Sequence, residues 1–218
     1  MPMRADRYLR AVLALAVCAA MAIAPGHADM IDTSSMKAWE HCALCHSADG
    51  ISRMPKFPKL AGQRPAYIEK QLREFRAEKR TNDGGPMVTN ASLLSDAQIT
   101  EVASYFASLP PPPPEESEND AAVLATGRQL FETGKPEAGV AACMTCHVGG
   151  GIPGVVAPAI AAQHAGYLRK QLNDFRDKAR NNDPDGIMQA IAGALTDGEI
   201  DAVSAYAASR MRREGGAP

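Results

Sequence analysis

Two pentads, Cys42-Ala43-Leu44-Cys45-His46 and Cys143-Met144-Thr145-Cys146-His147, constrain this chain more than any other stretch. Two thiols separated by two residues and followed at once by histidine form the attachment signature of a c-type haem: the sulfurs bond the porphyrin edge and the histidine reaches the iron. On one helical turn the two sulfurs share a side, which places the imidazole beneath the ring. Two simpler readings of a Cys-x-x-Cys pair fit less well. A zinc ribbon wants its second pair about 15 to 20 residues on, whereas these pairs lie in different halves of the chain. A thioredoxin-type redox pair wants a βαβ setting, and no strand-like alternation is present. The expectation is two covalent haem c groups, held by Cys42 and Cys45 and by Cys143 and Cys146.

Cys18 is the one cysteine outside the pentads, and it falls in a segment that reads as removable. Arg4, Arg7 and Arg10 precede an apolar run from Ala11 to Ala24, followed by Pro25-Gly26-His27-Ala28. A basic start, an apolar stretch and a small-residue cleavage site make a secretory signal peptide over residues 1–28. The run is short for a bilayer span, and Val17 before Cys18 is a poor lipoprotein site, so the reading allows peripheral membrane association at most. Export to an oxidising compartment, the periplasm, suits a chain whose remaining thiols are all committed to haem.

The chain repeats itself at about one hundred residues. Cys42 and His46 recur as Cys143 and His147; Pro58, Gln63, Tyr67, Gln71-Leu72, Phe75-Arg76 and Asn82-Asp83 recur as Pro158, Gln163, Tyr167, Gln171-Leu172, Phe175-Arg176 and Asn182-Asp183. Between the copies, Pro110–Pro114 favours extended polyproline II and Glu115-Glu116-Ser117-Glu118-Asn119-Asp120 repels itself, which reads as a semi-rigid linker. The expected organisation is a domain at 29–109, a linker at 110–120 and a second domain at 121–213. Pro65 at a first helical position opens a segment with Tyr67, Ile68, Leu72 and Phe75 on one face, matched by Tyr167, Leu168, Leu172 and Phe175. Ser95-x-x-Gln98 and Thr196-x-x-Glu199 are capping boxes ahead of the last helix of each copy. The fold class is therefore all-α: two tandem units, each wrapped around one haem. Only 5% of residues are aromatic, and a buried haem would supply the apolar bulk such small cores lack.

An iron held by one histidine has a second axial position to fill. Methionine is commonly core filler, but Met87 follows His46, and Met188 follows His147, by the same interval although the loops between them have slipped. Both stand just after turns, Gly84-Gly85-Pro86 and Asp185-Gly186, as loop-borne ligands do. His46 with Met87 and His147 with Met188 are the expected axial pairs. A soft, neutral thioether favours ferrous iron and raises the potential. Pro58 and Pro158, downstream of the two histidines, are candidates to offer a backbone carbonyl to the other ring N–H; the plain alternative is that both are loop prolines. His41 and His164 are expected as surface helix residues.

These residues resemble the dihaem cytochrome c4 family, two class I cytochrome c domains in one exported chain. The resemblance covers nearly all of residues 34–210. It rests on Pro58-Lys59-Leu60-Ala61-Gly62-Gln63, Tyr67 to Phe75, Arg80-Thr81-Asn82-Asp83, Gly127-Arg128-Gln129-Leu130-Phe131 and Gly139-Val140-Ala141-Ala142-Cys143. The chain departs from the family at Ser47 and Val148, where glycine generally follows the haem histidine, at Ser34 in the first helix, and at Ala161-Ala162-Gln163, where Ala-Gly-Gln is usual. The resemblance implies a periplasmic electron carrier, not an enzyme, passing electrons from a quinol-oxidising complex towards a terminal oxidase. A haem-bearing subunit of a membrane dehydrogenase or oxidase is the alternative. A dihaem peroxidase also carries two such pentads but resembles a longer chain and needs an open iron.

Charge adds the mode of docking. Acids and bases balance within 29–109 and within 121–218, so the acidic excess of the exported chain is Glu115, Glu116, Glu118 and Asp120. Neither half has the one-signed field that steers partners or binds nucleic acid. Class I cytochromes expose a haem edge, near which Ile51 to Met54 and Gly149 to Val156 are apolar or glycine-rich. The expectation is a monomer that meets redox proteins through a small, mostly apolar surface.

Overall fold

The computed structural model describes residues 36–149 and 152–212; the expected signal peptide and Ser34 lie outside them. Nine α-helices run through these residues: α1 Ala38–His46, α2 Pro65–Arg76, α3 Pro86–Ser92, α4 Asp96–Ser108, α5 Ala121–Glu132, α6 Met144–His147, α7 Ala165–Arg176, α8 Ile187–Gly193 and α9 Asp197–Ser209. Among the described residues there is one isolated bridge, Lys135 with Val140, and no strand.

Local chemistry sets the helix starts. Pro65 opens α2, where a missing N–H costs nothing. The two capping boxes close as expected: Gln98 N donates to Ser95 Oγ at 3.3 Å and Ser95 N to Gln98 Oε1 at 2.9 Å, while Glu199 N donates to Thr196 Oγ1 at 3.2 Å and Thr196 N to Glu199 Oε2 at 2.8 Å.

Each half has its own core. Ile68, Leu72 and Phe75 of α2 meet Ile99, Val102 and Phe106 of α4; Leu168 of α7 meets Leu130 and Phe131 of α5 and Ile200 and Val203 of α9. On the first core Trp39 stacks on Tyr105 with ring centroids 3.8 Å apart, which fixes α1 against α4. In the second, Gly127 lets α5 press on α9: a Cβ there would come within 2.1 Å of Ala202 O.

Polar contacts join the halves, and they come in reciprocal pairs, the mark of a two-fold arrangement. Gln63 takes the N–H of Ala159 at 2.8 Å and gives to its carbonyl at 2.9 Å; Gln163 does the same for Lys59 at 2.8 and 2.9 Å. Arg80 donates to Gln71 of its own half at 2.7 Å and to Gln171 and Tyr167 of the other at 3.0 and 3.1 Å; Arg180 repeats this with Gln171, Gln71 and Tyr67 at 2.7, 3.0 and 3.1 Å. Asn82 reaches Gln171 and Asp174, and Asn182 reaches Gln71 and Glu74. The repeated polar residues are therefore the seam, and Tyr67 and Tyr167 point their hydroxyls into it.

Segment 110–120 does not stand clear of the halves as a spacer. Pro112 is buried, Glu115 N donates to Ala208 O at 2.9 Å, and the Glu115 carboxylate receives Lys59 Nζ at 3.0 Å and Ala165 N at 3.1 Å. Burial raises the Glu115 carboxyl, yet the hydrogen bonds from Lys59, Ala165 and His164 outweigh it and leave it below the usual range. One supposedly self-repelling acid is thus neutralised in place. His164, expected on the surface, is buried: Nδ1 lies 2.5 Å from Glu115 Oε1 and Nε2 lies 2.9 Å from Ser52 O. His41 is half-buried and faces Asn90 Oδ1 at 3.1 Å.

Ala162 adopts φ 58°, close to the 62° of Gly62, and each N–H meets the last turn of its half's final helix, at Phe106 O and Ala207 O. The left-handed turn is thus kept where alanine has replaced glycine, at a cost of about 1 kcal/mol. Ala162→Gly should raise the stability of the second half by about 1 kcal/mol, read as the midpoint of its denaturant transition, while Gly62→Ala should lower that of the first half.

Candidate functional site

Each pentad ends on a helix that presents its histidine inward. His46 is 5% exposed at the end of α1, and its Nδ1 lies 2.9 Å from Pro58 O; His147 ends α6, and its Nδ1 lies 2.8 Å from Pro158 O. A carbonyl oxygen can only accept, so Nδ1 carries the proton in both rings and Nε2 keeps its lone pair. Burial, only partly offset by the carbonyl, holds both imidazoles below the ordinary histidine range. The result is a neutral, oriented ring whose free nitrogen is the one a metal binds.

The four pentad cysteines form no disulfide among the described residues. Cys42 packs on the first core and Cys143 on the second, so the pairs do not converge on one tetrahedral site and the zinc-ribbon alternative falls away. Burial pushes both of these thiols up to about 11.

Met87 and Met188 stand at the second and second residues of α3 and α8, both half-buried. Met87 packs on the same core as Cys42; in the second half it is Ile191 of α8 that touches the core with Cys143. Two residues not singled out as site residues from the sequence hold these methionine helices. Asp83 Oδ2 accepts from Met87 N at 2.5 Å, and Asp183 Oδ2 accepts from Met188 N at 2.7 Å and Gln189 N at 3.1 Å. Their signal was present in the repeated Asn-Asp, since an aspartate just ahead of a helix commonly takes orphan N–H groups.

The departures after the histidines differ in kind. Ser47 sits at φ 65°, ψ 151°, a region that glycine occupies and other residues rarely do, whereas Val148 is ordinary extended backbone at φ −115°, ψ 149°. Of the loops expected near a haem edge, Ser52 is buried under His164, while Met54, Ile152 and Val156 are exposed.

The family model for cytochrome c matches twice in tandem, at residues 35–110 and 124–210. Cytochrome c4 of Thiocapsa roseopersicina is 40% identical over 168 residues, 76% of this chain and 84% of that protein. The chain belongs to the dihaem cytochrome c4 family. The crystal structure of reduced recombinant cytochrome c4 from Pseudomonas stutzeri superposes with a TM-score of 0.67 at 34% identity, covering 79% of this chain and 96% of that one. A protein named thiosulfate dehydrogenase electron acceptor, from Stutzerimonas stutzeri, is 36% identical over 177 residues, 80% of this chain and 81% of its own. As a member of the cytochrome c4 family, the chain is a dihaem electron-transfer protein, not an enzyme, with two covalent haem c groups and redox proteins for partners. Free paired thiols, a neutral imidazole with one nitrogen open, and a methionine on a capped helix fit that group in each half.

If Asp83 and Asp183 fix the methionine helices, Asp183→Ala should cost about 1 kcal/mol of stability, as lost helix caps do. Carbon monoxide should then enter the reduced second-half haem faster than in the wild type, with the first half unchanged; stopped-flow binding measures this.

Proposed function

We propose that this chain is a periplasmic, high-potential carrier of single electrons in a respiratory chain, taking them from a quinol-oxidising complex and delivering them towards a terminal oxidase. Cys42, Cys45, Cys143 and Cys146 are the attachment thiols, His46 with Met87 and His147 with Met188 the axial pairs. The domains run 29–109 and 121–213 about the 110–120 segment. The observation that carries the reading is the matched pair of Nδ1 to carbonyl bonds, His46 to Pro58 and His147 to Pro158, at 2.9 and 2.8 Å.

Haem c supplies a one-electron iron centre whose potential follows its axial ligands and surroundings. What this chain's residues do is hold that centre still and dry. The carbonyls of Pro58 and Pro158 fix the ring planes, and the carboxylates of Asp83 and Asp183 keep the methionine helices wound. The apolar cores behind Cys42 and Cys143 disfavour the extra positive charge of ferric iron. With His46, Met87, His147 and Met188 as ligands, no position on the metal would be left for a substrate, which would separate a carrier from a peroxidase.

No helix among the described residues is long and apolar enough to cross a membrane, which accords with a carrier that touches the membrane only through its partners. The relative named thiosulfate dehydrogenase electron acceptor favours a second source of electrons, a sulfur-compound dehydrogenase. Reduction of the purified holoprotein by each of the two donor enzymes separates the readings; reduction by neither would reject both.

Met87→Ala and Met188→Ala should each lower the potential of their own haem and open it to carbon monoxide, leaving the other haem nearly unchanged. A variant that keeps the wild-type potential and spectrum would remove that methionine from the ligand set.

A further inference from the structure

The seam between the halves is largely reciprocal, and its unmatched contacts come from Arg64, His164, Lys59 and Arg212. Arg64 and His164 occupy equivalent places, the N-caps of α2 and α7. Arg64 reaches into the second half, where Nη1 donates to Cys146 O at 3.1 Å and Ala157 O at 2.7 Å and Nη2 donates to Gly149 O at 2.5 Å. These carbonyls flank His147 and its strut Pro158, and all three partners are neutral.

The first half receives no equivalent charge. His164 meets the Glu115 carboxylate at 2.5 Å, and Lys59 beside it meets the same carboxylate at 3.0 Å, so positive charge at that place is compensated. Ala48 O, the counterpart of Gly149 O, accepts from the Tyr105 hydroxyl at 2.8 Å, a neutral donor. The other cations near the seam do not cancel the difference. Arg80 and Arg180 are related by the pseudo-two-fold; Arg212 bonds Ala61 O and Ala161 O and, with Arg64, lines the cavity that His147 borders, so it adds to the positive charge there. Lys56 lies over the Phe57 ring beside His46 but is exposed, where solvent and salt screen it.

We infer that Arg64 is a potential-setting residue that acts across the seam: a guanidinium from the first half that favours the ferrous state of the iron held by His147, with no counterpart acting on the iron held by His46. Arginine is charged throughout the working pH range, so the effect is a fixed bias. The reaction it biases is the one-electron reduction of ferric to ferrous iron by a donor protein. An uncompensated cation costs less beside the less positive state.

The inference rests on His147 as an axial ligand. That assignment is checked first in the wild type, whose second-half haem must be low-spin; failure there would appear before any variant is made. The experiment is a redox titration of the holoprotein with Arg64 intact, Arg64→Gln and Arg64→Lys, each haem followed separately through its paramagnetically shifted NMR resonances.

Arg64→Gln should lower the reduction equilibrium constant of the second-half haem at least threefold and on the order of tenfold, about 59 mV for a one-electron couple, and that of the first-half haem less than twofold. Arg64→Lys, which keeps the charge and loses the forked donors, should retain more than half of the wild-type difference. A second-half change below threefold, a comparable fall at both haems, or a lysine variant no better than glutamine would overturn the inference. The lysine variant separates charge from hydrogen bonding, because a purely structural role would be lost in both.

Discussion

Two guanidinium groups buried between the halves, those of Arg80 and Arg180, are the constraint on which the rest of the arrangement depends. A buried cation costs several kcal/mol unless it is paired or fully hydrogen-bonded. Each of these lies over a phenylalanine of its own half, Phe75 or Phe175, at 4.5 Å, and shares both glutamine carbonyls, Gln71 and Gln171, with its counterpart. The tyrosine of the opposite half completes each set. Burial alone would raise the Tyr67 hydroxyl, but the charges of Arg180 and Arg80 reverse the shift and leave it below its usual value. Neither half satisfies its own arginine, so the two are held at one mutual orientation, and with them the loops that carry Pro58 and Pro158.

The candidate attachment residues were legible in the sequence because covalent chemistry imposes spacing. A thioether pair needs two cysteines on one turn, and the histidine must follow; nothing else in the chain satisfies that pattern twice. Helix starts were legible for a similar reason, since Pro65, Ser95 and Thr196 act on the backbone within one turn. The reason for the repeat was not legible in the same way. Gln71, Arg80 and Asn82 recur because they meet one another's copies, and Gln63 because it pairs with the backbone of the opposite loop, but periodicity shows only that Tyr67 and Ile68 share a helix face. It does not show that the polar edge of that face is covered.

His164 was misplaced on the same ground: a histidine at a helix start reads as exposed until the 110–120 segment is laid across it. That segment reads as an extended, self-repelling spacer from composition, yet Glu115 finds Lys59 and His164 waiting. Long-range compensation of charge has no local signature. The same holds for Ala162, where the backbone keeps a glycine's conformation without the glycine, because the N–H must still reach Ala207 O.

Duplication here yields two sites built alike and surrounded differently. In the proposed coordination both irons would be held between an oriented imidazole and a thioether; Arg64 bonds the carbonyls that flank the second histidine, and a serine in a glycine's backbone conformation follows the first. The central claim is the coordination itself, and X-ray absorption at the iron edge tests it most directly. The account predicts an average of about one thioether sulfur per iron in both oxidation states. An average near half a sulfur, or none, would contradict it in one half or in both.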